Sequence, residues 1–187
     1  GTPTFAARAG LSFPIAPKQI ATIGISGHHG LEDSHLPGLS GHDSSETWSL
    51  NADLRVPLTP TLLLQAEAFV GRNLDSFLGG IGQGVNPTLG REIDAVGGWA
   101  ALTASPSARW QFNLGASIDD PDDADLAGST DPNRDARTKN TLFFGNALYS
   151  LNAQVQLAFE SAWLRTTYKL LAPGEGWRQQ FAITYKF

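Results

Sequence analysis

The stretch TWSLNADLRV alternates without a lapse: Trp48, Leu50, Ala52, Leu54 and Val56 are apolar, and Thr47, Ser49, Asn51, Asp53 and Arg55 between them are polar. Period two puts successive side chains on opposite sides of an extended chain and cannot build the apolar stripe of a helix. The segment therefore reads as a strand with one dry face and one wet face. The pattern recurs in AQVQLAFESAW, where Val155, Leu157, Phe159 and Trp163 oppose Gln154, Gln156 and Glu160. In RWQFNLGASI, Trp110, Phe112, Leu114, Ala116 and Ile118 oppose Arg109, Gln111, Asn113 and Ser117. The C-terminal WRQQFAITYKF sets Trp177, Phe181, Ile183, Tyr185 and Phe187 against Arg178, Gln180, Ala182, Thr184 and Lys186. Weaker alternation in TFAARAGLSF, QIATIGIS, TLLLQAEAFV, EIDAVGGWAALT and TLFFGNALYSL brings the expectation to about nine strands, and no segment has a helical period.

What joins the strands is as informative as the strands. Short connections (PIAPK, PLTPT, ASPSA, SLNA) alternate with longer ones at about residues 28–45, 72–91, 119–138 and 169–176. A Greek-key sandwich has no reason to segregate loop lengths in this way, whereas transmembrane β-barrels combine short periplasmic turns with long extracellular loops. Trp48, Trp163 and Trp177 fall at the long-loop ends, and Phe13, Trp110, Tyr149, Tyr185 and Phe187 at the short-turn ends, as two interfacial girdles would. The fold expectation is all-β: a transmembrane antiparallel up-and-down β-barrel, with a soluble β-sandwich left open by alternation alone. There is no apolar run of about 18 residues to form a membrane helix. The absence of Cys excludes disulfides, thiolate metal ligands and Cys nucleophiles. A net charge of −5 with singly scattered Lys and Arg gives no basic face, so no nucleic-acid partner is expected.

FAITYKF, with its alternating apolar residues, Tyr185 and terminal Phe187, resembles the C-terminal signature of bacterial outer-membrane β-barrels. The resemblance implies that Phe181, Ile183, Tyr185 and Phe187 are read by the barrel-assembly machinery and also contact lipid, and that the C-terminus is periplasmic. GRNLDSFLGGIGQGVN and DDPDDADL…RTKNTLFFGNALYSL resemble the C-terminal part of longer porin-like proteins. That likeness implies the bacterial cell outer membrane, contact with its lipid and lipopolysaccharide, and a homotrimer, for which small residues such as Ala95, Gly97, Ala101 and Ala147 offer a flat contact. Counted back from a periplasmic Phe187, the first of nine strands starts outside, although bacterial single-chain barrels have an even strand number. Either the strand number differs by one and residues 1–187 are a single β-barrel domain, or, the favoured expectation, the chain is the C-terminal portion of a 16–18-stranded barrel.

Strand parity assigns Arg8, Asp53, Arg55, Gln65, Glu67, Arg109, Gln111, Asn113, Gln154, Gln156, Glu160, Arg178, Gln180 and Lys186 to the face away from lipid. In a barrel of about 16–18 strands they would line a water-filled pore, and in one of about eight they would pair and fill the interior. The loop GRNLDSFLGGIGQGVNPTLGRE is glycine-rich and apolar in its middle (Phe77, Leu78, Ile81, Val85). It either folds inward over the pore or packs on another loop or subunit, and its glycines lack phosphate-loop spacing. Asp119, Asp120, Asp122, Asp123, Asp125 and Asp131 form either a Ca²⁺ site or a solvated acidic run, and no other cofactor is expected. His28, His29, His35 and His42 share the first long loop with Glu32, Asp33 and Asp43, as a metal or pH-responsive cluster or simply as hydrated loop residues. No motif surrounds His28, the one His at a strand end, and no enzymatic role is expected. The functional expectation is a porin-like channel for passive diffusion of small hydrophilic solutes. The alternative is a closed barrel with a structural, adhesive or partner-binding role through its extracellular loops.

Overall fold

The computed structural model describes residues 3–34, 43–126 and 136–187. Eleven strands run in the order β1 (Phe5–Ala16), β2 (Gln19–Ser34), β3 (Asp43–Thr59), β4 (Leu62–Arg72), β5 (Val85–Asn86), β6 (Arg91–Glu92), β7 (Asp94–Ala104), β8 (Trp110–Pro121), β9 (Arg137–Ser150), β10 (Val155–Tyr168) and β11 (Gly174–Tyr185). Nine of them form one antiparallel sheet, β1-β2-β3-β4-β7-β8-β9-β10-β11, in which each strand pairs with its neighbour in sequence. β5 and β6 make a separate ribbon inside the connection between β4 and β7, a segment expected to be loop throughout. Among the described residues there is no α-helix, and hence no helix long and apolar enough to cross a membrane.

The described sheet is open, β1 and β11 each pairing along one edge only, so these nine strands do not by themselves close a barrel. The first long connection is shorter than the expected 28–45, because β2 and β3 stay paired out to Ser34 and Asp43. His28 and His29 are consequently strand residues, opposite Ser49 and Trp48, while His35 and His42 lie outside the described residues.

The register sorts the side chains onto two faces. One row across the sheet reads Arg8, Ser26, Asn51, Phe69, Gly97, Asp119, Asn140, Thr166 and Gly174. A row of the opposite face reads Leu54, Ala66, Ala100, Ala116, Phe143, Trp163 and Trp177. That second face is apolar and open: Leu114, Phe181 and Ile183 are 66%, 65% and 65% exposed. The buried apolar cluster of Ile93, Leu126 and Ala136 lies in the loop region instead. A soluble sandwich would bury its larger apolar face, and an exposed apolar surface of this extent needs a partner phase such as lipid.

The border of the apolar face measures how the strands lie. Outward-facing charges mark its upper edge on successive strands: Glu46, Arg72, Asp94, Asp120, Lys139, Arg165 and Glu175. The ladder row of Glu175 reaches β3 at Ala52, six residues beyond Glu46, after six strand-to-strand steps. The tryptophans repeat the offset, for the row of Trp177 reaches β3 at Leu54, six residues beyond Trp48. A border that drops about one residue (~3.3 Å) per strand spacing (~4.8 Å) means strands tilted by roughly 35° to it, within the range of β-barrels. Below the charges, the apolar stretch runs from Trp48 to Val56 on β3, from Ile118 to Trp110 on β8 and from Trp177 to Tyr185 on β11. Each stretch is about 26 Å along the strand and, so tilted, about 22 Å across, close to the apolar band of an outer-membrane barrel.

Candidate functional site

The face opposite the apolar one carries the strand-borne members of the parity set: Arg8, Asp53, Arg55, Gln65, Glu67, Gln111, Asn113, Gln156, Glu160, Arg178 and Gln180. Arg109 and Gln154 sit in the short turns before β8 and β10, and Lys186 follows β11. Arg8 and Asp53 meet across β2, with an Arg8 Nη2 donating to both carboxylate oxygens at 2.7 and 3.0 Å. The pair lies flat over Gly24, where a Cβ would stand 2.3 Å from an Asp53 oxygen.

On the other half of the sheet a hydrogen-bonded chain crosses five strands. Thr103 on β7 donates to Asn113 Oδ1 (2.6 Å), Asn113 to Asn146 Oδ1 (2.6 Å) and Asn146 to Glu160 Oε2 (3.2 Å); Glu160 Oε1 accepts from Arg178 (3.1 Å). Alternation on β8, β10 and β11 indicates Asn113, Glu160 and Arg178, but not Thr103 or Asn146, whose strands carry apolar or small residues on both faces. β7 and β9, with β10, also place Trp99, Leu142, Phe144, Leu148 and Leu164 on the otherwise polar face.

The connection from Asn73 to Ile93 folds over this same face. Asn73 and Ile93 close its base (N–H to O=C, 2.9 Å), and its tip is anchored to the wall at separate points. The Phe77 ring stacks on His28 with centroids 3.8 Å apart. The Ile81 N–H donates to Asp119 Oδ2 at 2.9 Å. The Gln83 amide donates to the Arg137 carbonyl at 2.8 Å and accepts from its N–H at 3.0 Å. Three non-glycine residues, Asn73, Leu78 and Ile81, have φ between 52° and 65° here. Such left-handed conformations cost on the order of 1–3 kcal/mol each and persist only where surroundings hold them.

His28 is locked into the same anchorage. Thr47 donates its hydroxyl hydrogen to the Asn73 carbonyl (2.8 Å), so it accepts from His28 Nε2 (3.0 Å), which leaves Nδ1 to accept from Ser49 (2.8 Å). These partners fit a neutral imidazole with its hydrogen on Nε2. His28 Nε2 thus faces a hydroxyl rather than an orienting carboxylate, and Phe77 covers the ring.

The acidic residues expected to gather around a cation turn to different partners. Asp119 accepts from Ile81, Asp120 pairs with Lys139 at 2.9 Å, and Asp122 accepts from the Ala124 N–H at 2.8 Å. The Asp123 carbonyl accepts from Lys169, and Asp125 pairs with Arg91 and accepts from the Asp94 N–H. No three acidic or His groups converge as metal ligands among the described residues; Asp131 lies outside them. At the charged border of the apolar face, above its aromatic level, Arg72 holds Asp94 at 2.6 and 2.9 Å. The hydrogen bond from Arg72 keeps the Asp94 carboxyl below its ordinary range and lifts the guanidinium above its own, each against some burial.

A tilted antiparallel sheet with sequential connections, one apolar face and an opposite polar face under a folded-in loop has the form of part of a β-barrel wall. The crystal structure of the outer membrane channel DcaP of Acinetobacter baumannii has this fold: it superposes with a TM-score of 0.74 at 14% sequence identity, over 100% of this chain and 54% of that one. The chain thus spans about half the length of that channel, and at this identity the likeness is one of fold. No protein family and no curated protein matches the sequence.

Proposed function

We propose that the protein forms a porin-like channel of the bacterial outer membrane that passes small hydrophilic solutes by diffusion. The observation that carries this reading is the division of one tilted sheet into a membrane-high apolar face and a face of ion pairs, amides and hydroxyls. An apolar band of that height fits lipid, and the opposite face requires water. In this reading Arg8, Asp53, Arg55, Glu67, Arg109, Gln111, Gln154, Gln156, Glu160, Arg178 and Lys186 line or flank the lumen. The inward loop narrows it.

Open sheet edges are not tolerated in hydrocarbon, so β1 and β11 need strands beyond those described. Nine strands over 54% of a channel of this fold scale to roughly 16 or 17, and an even barrel of 16–18 strands is wide enough for an aqueous lumen. Phe181, Ile183, Tyr185 and Phe187 would serve the assembly machinery. Of the small residues expected at a trimer contact, Ala95, Gly97 and Ala101 share the polar face and Ala147 lies on the apolar one; a homotrimer contact on the apolar face and lipopolysaccharide at the charged rim belong to the same proposal. The closed-barrel alternative draws on one observation, the multiple anchoring of the loop over the polar face.

Planar-bilayer recording of the intact protein purified in detergent decides between the two. Stepwise ohmic conductance in KCl is expected, and a correctly folded barrel that carries no current would establish the closed form.

A further inference from the structure

Trp99 is an anomaly on the polar face: its side chain points away from the apolar band yet is 42% exposed. In the register it stands between Glu67 on β4 and Ser117 on β8, with Gln65 diagonal to it. Directly opposed residues have Cβ atoms about 5 Å apart and diagonal ones about 7–8 Å, so these polar groups ring the indole. Among the described residues, none of the side chains of Glu67, Gln65 and Ser117 is engaged by another side chain. One step toward the long loops the wall is covered, since Gly79 of the inward loop packs on the Phe69 ring. Trp99 therefore stands one step below the covered part of the wall, where the lumen of a channel would be narrow.

We propose that Trp99 is a stacking platform for the ring of a neutral, polyhydroxylated solute such as a pyranose, with Glu67, Gln65 and Ser117 hydrogen-bonding its hydroxyls. The proposal rests on the channel reading and names its solute class. A flat apolar ring with a few convergent polar groups is the usual composition of a small-molecule site. The charges give ions no net advantage. Arg8 with Asp53, and Arg55 with Glu67, sum to zero, so neither an anion nor a cation gains from the cluster as a whole. The unpaired Glu67 directly opposite Trp99 repels carboxylates and accepts from hydroxyls.

The test is ion conductance of the intact protein in planar bilayers with D-glucose or its open-chain counterpart D-sorbitol added. Glucose is expected to interrupt the current, and sorbitol at the same concentration to do so about fivefold less. Trp99→Ala is expected to weaken the glucose block about fivefold with the KCl conductance retained, and Trp99→Phe to keep most of it. Glu67→Gln weakens the block without abolishing it. Equal blocking by the two probes, or an unchanged block in Trp99→Ala, overturns the site while leaving the channel intact. Strong block by glucosamine with none by glucose overturns it in favour of a cationic ligand. A protein that conducts no ions overturns the channel and the site together.

Discussion

Glycines let flat groups lie against the polar wall. The Phe69 ring lies across Gly97 and the Phe144 ring across Gly115, where added Cβ atoms would stand 2.4 and 2.3 Å from ring carbons. Gly115→Ala is thus expected to lower stability by about 1–3 kcal/mol through overpacking. Thermal unfolding in detergent checks it, and a Gly115→Ala/Phe144→Ala double variant should show the two effects to be coupled; simple additivity would remove the explanation. Arg178→Ala, by contrast, frees only a half-exposed partner of Glu160 and should cost about 1 kcal/mol or less. At this scale the sequence was readable where polar and apolar residues alternate cleanly. It was opaque on β7 and β9, because a strand with the apolar band on one side and an apolar island on the other loses its alternation. Trp99 and Asn146 became visible only through cross-strand register.

The inward loop shows why elements are harder to read than residues. Its apolar middle signals that it does not remain in water, but the surface that receives it is assembled from β2, β8 and β9, distant in sequence. The acidic run illustrates the same limit: the sequence left open a Ca²⁺ site or a solvated run, and the strands and loops turn Asp119, Asp120 and Asp125 to Ile81, Lys139 and Arg91. Asp119→Ala removes the acceptor for the Ile81 N–H. The expected outcome is a looser loop with faster tryptic cleavage at Arg91 and a larger conductance, while the heat stability of the sheet is unchanged. Loss of sheet stability together with normal cleavage would mean that Asp119 supports the wall and not the loop. The C-terminal strand was the easiest element to read, since β11 presents Phe181, Ile183 and Tyr185 outward without interruption. Phe187 extends beyond its last pair.

For the whole molecule, alternation and loop lengths foretold an antiparallel sheet with sequential connections. They could not reveal the tilt, which depends on register between strands, nor closure, which the described strands do not achieve. The tilt makes the height of each residue within the apolar band calculable. Leu114 lies midway between Ile118 and Trp110 on β8, so Leu114→Arg is expected to destabilise the protein folded into bilayers by about 2–4 kcal/mol. Asn113→Arg, one residue away on the other face, should escape that lipid penalty. Denaturant titration in liposomes compares them, and equal losses would contradict the assignment of faces.

The most direct test uses the absence of Cys from these 187 residues, which makes an introduced thiol unique within them. Single variants Gln111→Cys and Ser117→Cys on the polar face of β8, and Phe112→Cys and Ala116→Cys on its apolar face, are exposed to a charged thiol reagent during single-channel recording. If the polar face lines an aqueous pore, the current changes in discrete steps for Gln111→Cys and Ser117→Cys and stays constant for Phe112→Cys and Ala116→Cys. Steps of equal size from both faces, or from the apolar face alone, would contradict it.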